Sequence, residues 1–291
     1  MRSPATLAGL RIDGLRIDGL RIDGLRIDGL RIDASRSTEI SPAKNPPDDP
    51  FRPSTMTQSI LFLPGMMCDG RLYGPQLEAL GSCDYRIGDL GGYESMSDIA
   101  AEVLADAPAT FALVGLSMGG IVAMELMRQA PERITHLLLI STNPFSEAPE
   151  VAQRRIGQMQ AASSGALCRL MREEIIPNYL PERLSSSSPH TKEEIEDICH
   201  RMAMDLGQAV FKRQSRALMH RPDYSPDLPK YDLPCKILCG DQDRLCPVSR
   251  HRYLVDQIPA AQLTILEGVG HLPTLEAPSE VFEAIESLLG L

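Results

Sequence analysis

Short, almost uninterrupted apolar runs alternating with stretches of helical period are the strongest constraint on how this chain folds. SILFLPG (59–65), TFALVGLS (110–117), ITHLLLIS (134–141) and CKILCG (235–240) have the length and residue types of strands covered on both faces. RLYGPQLEAL (71–80), SDIAAEVLADAP (97–108) and MGGIVAMELMRQA (118–130) read as helices between them, with YRIGDL (85–90) as a short strand. The rhythm resumes near the end with a helix at 249–258, a strand at 261–268 and a helix at 279–290. Parallel strands need such crossovers, and helices on both faces account for the missing polar alternation. The expectation is an α/β protein with a mostly parallel central sheet flanked by helices.

Residues 145–226 interrupt this rhythm and read as purely helical. Thr191 and Glu194 have capping-box spacing, and Ile195, Ile198, Cys199, Met202 and Leu206 form one apolar stripe. A helical insertion between two sheet strands is expected to form a cap over the sheet's carboxyl edge, where open α/β sheets bind ligands. The domain plan is therefore a core of 56–144 and 227–291, with a cap at 145–226.

The first 55 residues stand apart. Five copies of GLRID run from Gly9 to Asp33, followed by the proline-rich SPAKNPPDDPFRPST. Five pentamers supply little more than one coil of a β-helix, and isolated hairpins with Asp-Gly turns are marginal. This segment is expected to be a disordered extension, with the functional domain starting near Met56.

Composition narrows the function. Residues 1–55 carry 9 Lys+Arg against 8 Asp+Glu, so of a net charge of −10 the remainder holds −11, which argues against nucleic acid as a partner. No run reaches membrane-spanning length, and MRSPATLAGLRIDG has no continuous apolar core of the kind a secretion signal needs. Seven scattered cysteines without a CxxC read as reduced thiols, so a cytoplasmic protein is expected. Cys235 and Cys239 lie too far apart on one strand to share a metal ion.

GLSMG (115–119) sits where a buried strand meets a helix. Such a turn lifts the Ser117 hydroxyl clear of the sheet, although a plain helix N-cap is the alternative reading. A serine nucleophile needs a base, and the base needs an orienting acid. CGDQDRLCP follows the strand at 235–240 and offers Asp243, with Asp241 as the other candidate acid. GVGHLPTLEAPSEV follows the strand at 261–268 and places His271 in a glycine-flanked loop. All three candidates lie at carboxyl ends of predicted parallel strands. Asp69 reads as the cap of the helix at 71–80, and no other histidine sits in a motif.

From about Met56 onward the chain resembles serine hydrolases of the α/β-hydrolase fold, in the cap-bearing group of carboxylesterases and C–C bond hydrolases. The resemblance rests on GLSMG, GDQD and the Gly-His loop, and it implies Ser117 as nucleophile, Asp243 as acid and His271 as base. It also implies an oxyanion hole made by the backbone N–H groups of Met66 and Met118. Pro64 replaces the histidine common in relatives, and the usual leading β-hairpin is missing, which leaves a sheet edge available for pairing in a homo-oligomer. Met67, with Met66 and Met118, is expected to contact substrate and to favour an apolar acyl group. The implied activity is hydrolysis of a small, largely apolar carboxylic ester, thioester or lactone through an acyl-enzyme, with no metal or organic cofactor. C–C bond cleavage or lyase chemistry on the same triad is the first alternative. A small-ligand-binding protein with a vestigial triad is the second.

Overall fold

The computed structural model describes residues 58–291, together with two short strands near the N-terminus. Those strands, β1 (Arg11–Ile12) and β2 (Leu15–Arg16), pair antiparallel within a unit that spans Met1–Ser54. The rest of the extension, and the disorder expected of it, lies outside the described residues.

Thr55–Leu291 forms the second unit, built around a six-stranded sheet in the order β4-β3-β5-β6-β7-β8. The strands are β3 (Ile60–Leu63), β4 (Tyr85–Ile87), β5 (Phe111–Leu116), β6 (Ile134–Ile140), β7 (Cys235–Gly240) and β8 (Ala261–Leu266). Every neighbouring pair runs parallel, as the apolar runs require. Alternate residues feed two cores. Ile60, Phe62, Val114, Leu116, Leu138 and Ile140 pack on one face. Leu61, Leu63, Phe111, Leu113, Leu137 and Leu139 pack on the other. The edge strands β4 and β8 keep exposed positions because each has a neighbour on one side only.

The crossovers are α1 (Gly74–Leu80), α2 (Met96–Asp106), α3 (Met118–Gln129) and α7 (Val248–Gln257), and α8 (Pro273–Glu276) and α9 (Pro278–Leu289) follow the last strand. After β3 the chain moves out to the edge at β4, then returns to the other side of β3 as β5. Loops leaving β3 and β5 therefore diverge, and a crevice opens between their carboxyl ends. This topology puts the segments after Leu63 and after Leu116 side by side.

Between β6 and β7 lie α4 (Pro149–Ala161), α5 (Leu167–Leu170) and the long α6 (Lys192–Met219). The segment is not helical throughout. Wide π-type turns flank α5, and residues 179–191 are irregular. Pro181, Pro189 and the serine run 185–188 deny that stretch helical hydrogen bonds and propensity. α6 also bends at Gly207, whose φ of 75° no helix accommodates. Its start carries the expected capping box, with Thr191 Oγ1 accepting from Glu194 N–H at 3.2 Å and Glu194 Oε2 accepting from Thr191 N–H at 2.8 Å. Ile195, Cys199 and Met202 of the expected stripe are buried. Among the described residues, no helix is long and apolar enough to cross a membrane.

Candidate active site

Ser117 is the single residue between β5 and α3, and its φ of 54° with ψ of −113° is strained for a residue bearing a Cβ. Close packing holds it there. A Cβ on Gly119 would approach Leu63 O to 2.0 Å, and one on Gly115 would approach Gly119 O to 2.5 Å. The backbone is also tied down, since Ser117 N–H donates to Ile140 O at 2.9 Å and Thr142 Oγ1 donates to Ser117 O at 2.8 Å. The Ser117 hydroxyl makes no cap bond to α3, so the N-cap reading fails. Its Oγ lies 2.9 Å from His271 Nε2 instead.

His271 Nδ1 lies 2.8 Å from Asp243 Oδ2, and both side chains are buried. The other carboxylate oxygen of Asp243 accepts N–H bonds from Leu245 at 2.8 Å and Cys246 at 2.9 Å. Burial works to raise the Asp243 pKa, but the His271 imidazole and these two N–H donors outweigh it and hold the acid below its ordinary range. Asp241, the alternative acid, points away: its Oδ1 accepts from Gly268 N–H at 2.8 Å and braces the turn after β8.

Several supports of this arrangement carried no sequence motif. Glu276, buried in α8, accepts from Gly270 N–H at 2.7 Å and Leu272 N–H at 2.8 Å, while His271 N–H donates to Tyr179 O at 2.7 Å. Three consecutive amides are thus held, and the imidazole is aimed by its backbone. Burial pushes the Glu276 carboxyl up to about 7 despite those donors. His251 is wholly buried, and its Nε2 accepts from Thr142 N–H at 3.0 Å, which braces the residue that grips Ser117. Burial lowers the His251 pKa to about 4, so the ring is neutral and suited to accept. A five-residue gap from His271 to Glu276 was the only available signal, and α8 resembles an ordinary helix start.

Donor atoms of Asp243, Cys246 and His271 lie within 4.8 Å of one another. Asp243 and His271 spend theirs on each other, and burial raises the Cys246 thiol pKa, so the thiol is held against the deprotonation that metal ligation requires.

The Ser117–His271 pair opens on a cavity of about 510 Å³. Met66 and Met118 line it, and their backbone N–H groups have no protein acceptor among the described residues. Met67 does not line it. With φ of 57°, Met67 turns into the core and its N–H donates to Gln214 Oε1 at 2.9 Å, so the expected substrate contact is absent. The walls are mixed: Val151, Ile175, Leu218, Ile121 and Leu272 share them with the charged Glu147, Arg154, Arg155, Glu174, Arg221 and Arg244.

Residues 60–284 match the family described as the alpha/beta hydrolase family. The chain is 25% identical over 201 residues to a pimeloyl-[acyl-carrier protein] methyl ester esterase of Aeromonas hydrophila, covering 67% of this chain and 77% of that protein. It is 26% identical over 210 residues to 3-oxoadipate enol-lactonase 2 of Acinetobacter baylyi, covering 70% of this chain and 71% of that one. Among solved structures, an esterase from Thermogutta terrifontis superposes with a TM-score of 0.70 at 24% identity, covering 80% of this chain and 89% of its own. The enol-lactonase from Burkholderia xenovorans superposes with a TM-score of 0.69 at 18% identity, covering 80% and 92%.

Proposed function

We propose, from the premise that this chain belongs to the alpha/beta hydrolase family, that it hydrolyses a small carboxylic ester or lactone through an acyl-enzyme on Ser117. The observation that carries this reading is the unbroken Asp243–His271–Ser117 hydrogen-bond chain ending at a cavity. Relatives named for a methyl ester and an enol-lactone support an ester-type carbonyl as the target.

His271 Nε2 takes the Ser117 proton as Oγ attacks the substrate carbonyl carbon, and the carbonyl electron pair moves to oxygen. The imidazolium is stabilised by Asp243, which also fixes the tautomer by accepting from Nδ1–H. The Met66 and Met118 amides hold the oxyanion at the positive end of α3. Collapse of the tetrahedral intermediate expels the alcohol, which leaves with the proton from His271. Water, deprotonated by the same imidazole, then releases the acid. The strained φ of Ser117 keeps the hydroxyl raised toward this position, and the helices between β6 and β7 act as the cap that excludes bulk water.

A fluorophosphonate probe is expected to label the wild-type protein and not Ser117→Ala, with ester turnover reduced roughly a million-fold. Retained turnover in Ser117→Ala removes the serine from this role. Ligand binding without labelling or turnover identifies a vestigial site.

A further inference from the structure

The hydrolytic step makes no use of the charges in the cavity wall. The Glu147 side chain is only 5% exposed and pairs with two guanidinium groups: Arg155 Nε at 2.6 Å and Arg221 Nη1 at 2.9 Å. Arg221 is further committed, donating from Nε to Phe145 O at 2.8 Å and from Nη1 to Leu218 O at 3.3 Å. Arg155 is not. Beyond Glu147 its one contact is a soft one, from Nη1 to Met66 Sδ at 3.3 Å, and its Nη2 has no protein acceptor among the described residues.

One carboxylate between two guanidinium groups leaves one net positive charge in a site withdrawn from water. Such a charge is costly until an anion completes the set. Arg154 and Arg244 also line the cavity, against Glu174 and the Asp243 carboxylate behind His271. The excess runs counter to the chain as a whole, whose net charge is −10, so it is not a reflection of general basicity. Its location is specific too. Arg155 touches the side chain of Met66, whose amide is the oxyanion donor in the reading above.

We propose that Arg155 binds a carboxylate carried by the substrate ester itself, so that short half-esters and carboxylate-bearing lactones are preferred over neutral esters. The guanidinium fork suits a carboxylate, and one methionine side chain spaces it from the reacting carbonyl. This inference rests on the hydrolase reading.

The test compares kcat/KM, followed by proton release, for monomethyl adipate, its neutral diester dimethyl adipate, and the hexanoate ester of glycolic acid. The first carries the anion on the acyl side and the third on the leaving alcohol, with methyl hexanoate as the neutral reference for the third. In the wild type an anionic ester on one side or the other is expected to exceed its neutral reference by about tenfold, the contribution of one charge-assisted hydrogen bond. Added salt narrows that preference. Arg155→Met, which leaves Glu147 paired with Arg221, is expected to bring the ratio close to unity, and Arg155→Lys to restore part of it. If Arg155→Met unfolds on heating far below the wild type, the Lys variant and the salt series decide. Neutral esters turned over with no anionic preference, or a preference indifferent to Arg155, overturn this inference and leave the hydrolase reading standing. Absence of turnover on every ester overturns both.

Discussion

The floor and the roof of the cavity are held by different means. On the floor, Ser117 is one residue past β5, Asp243 three past β7 and His271 five past β8, so a rigid parallel sheet sets their positions through very short tethers. In the roof, Arg155 sits on α4, whereas Glu147 precedes α4, Tyr179 opens the irregular, proline-interrupted stretch, and Arg221 follows α6, a helix bent at Gly207. Their positions depend on one another: Arg155 and Arg221 on Glu147, and the 179–180 segment on His271 and Arg244 below. In the proposed reading the floor carries chemistry that changes little with substrate, and the roof distinguishes one ester from another. Floor substitutions should therefore lower kcat for every ester, and roof substitutions should change the ranking of esters.

Asp243→Asn gives the largest effect that separates the two. It keeps the size of the side chain but offers His271 an amide, which stabilises the wrong tautomer and cannot balance the imidazolium. Turnover is expected to fall about ten-thousand-fold on neutral and anionic esters alike, with thermal unfolding little changed. A loss confined to one class of ester would erase the distinction between floor and roof.

Next come two buried groups of the floor with opposite pH signatures. Glu276 has its folded pKa raised from 4.5 to about 7, chiefly by burial, so the folded protein binds more protons than the unfolded chain across that window. Its contribution is present at low pH and lost as pH rises through about 7. His251 has its pKa lowered from 6.5 to about 4, again chiefly by burial, so its contribution is present above 6.5 and lost as pH falls toward 4. Each amounts to at most about 3 kcal/mol, and between pH 4.5 and 6.5 the two slopes cancel. The wild type should look flat there in a thermal-midpoint series. Glu276→Gln should unmask a midpoint that rises with pH, and His251→Gln one that falls. Parallel curves for all three proteins would place the titrating groups elsewhere.

The same contrast governs what was legible in the sequence. Strands read well because β3, β5, β6 and β7 are buried on both faces and use unbroken apolar runs. The meeting of Ser117, Asp243 and His271 was legible because each lies a few residues beyond such a run. Asp69 was recognisable as a cap, its Oδ1 accepting from Arg71 N–H at 3.0 Å, but what it caps is the 3-10 turn Gly70–Tyr73 that leads into α1 and not one helix over 71–80. Met67 was misread because the positive φ that turns it into the core is set by tertiary packing, with Gln214 taking its amide from far along the chain. The Glu147–Arg155–Arg221 cluster was invisible for a related reason. Its members belong to three separate segments, and no periodicity links residues that only a folded roof brings together.

The smallest effect tests whether the roof can be weakened without disturbing the floor. Thr191 and Glu194 close the capping box at the start of α6, and that first turn carries the buried Ile195. Thr191→Ala removes the hydroxyl acceptor from the Glu194 amide and leaves it to water. The expected cost is about 1 kcal/mol, or roughly 2 °C in the unfolding midpoint. Lys192, next in the chain, donates from Nζ to Pro181 O at 3.0 Å, so fraying here loosens the irregular stretch that follows Tyr179. The tie from His271 N–H to Tyr179 O lies on the far side of that stretch and is backed by Arg244 Nη2 donating to Leu180 O at 3.1 Å. The kcat for a small neutral ester should therefore remain at the wild-type value while the midpoint drops. A parallel fall in kcat would mean that helix α6 helps to position His271, and that floor and roof form one mechanical unit.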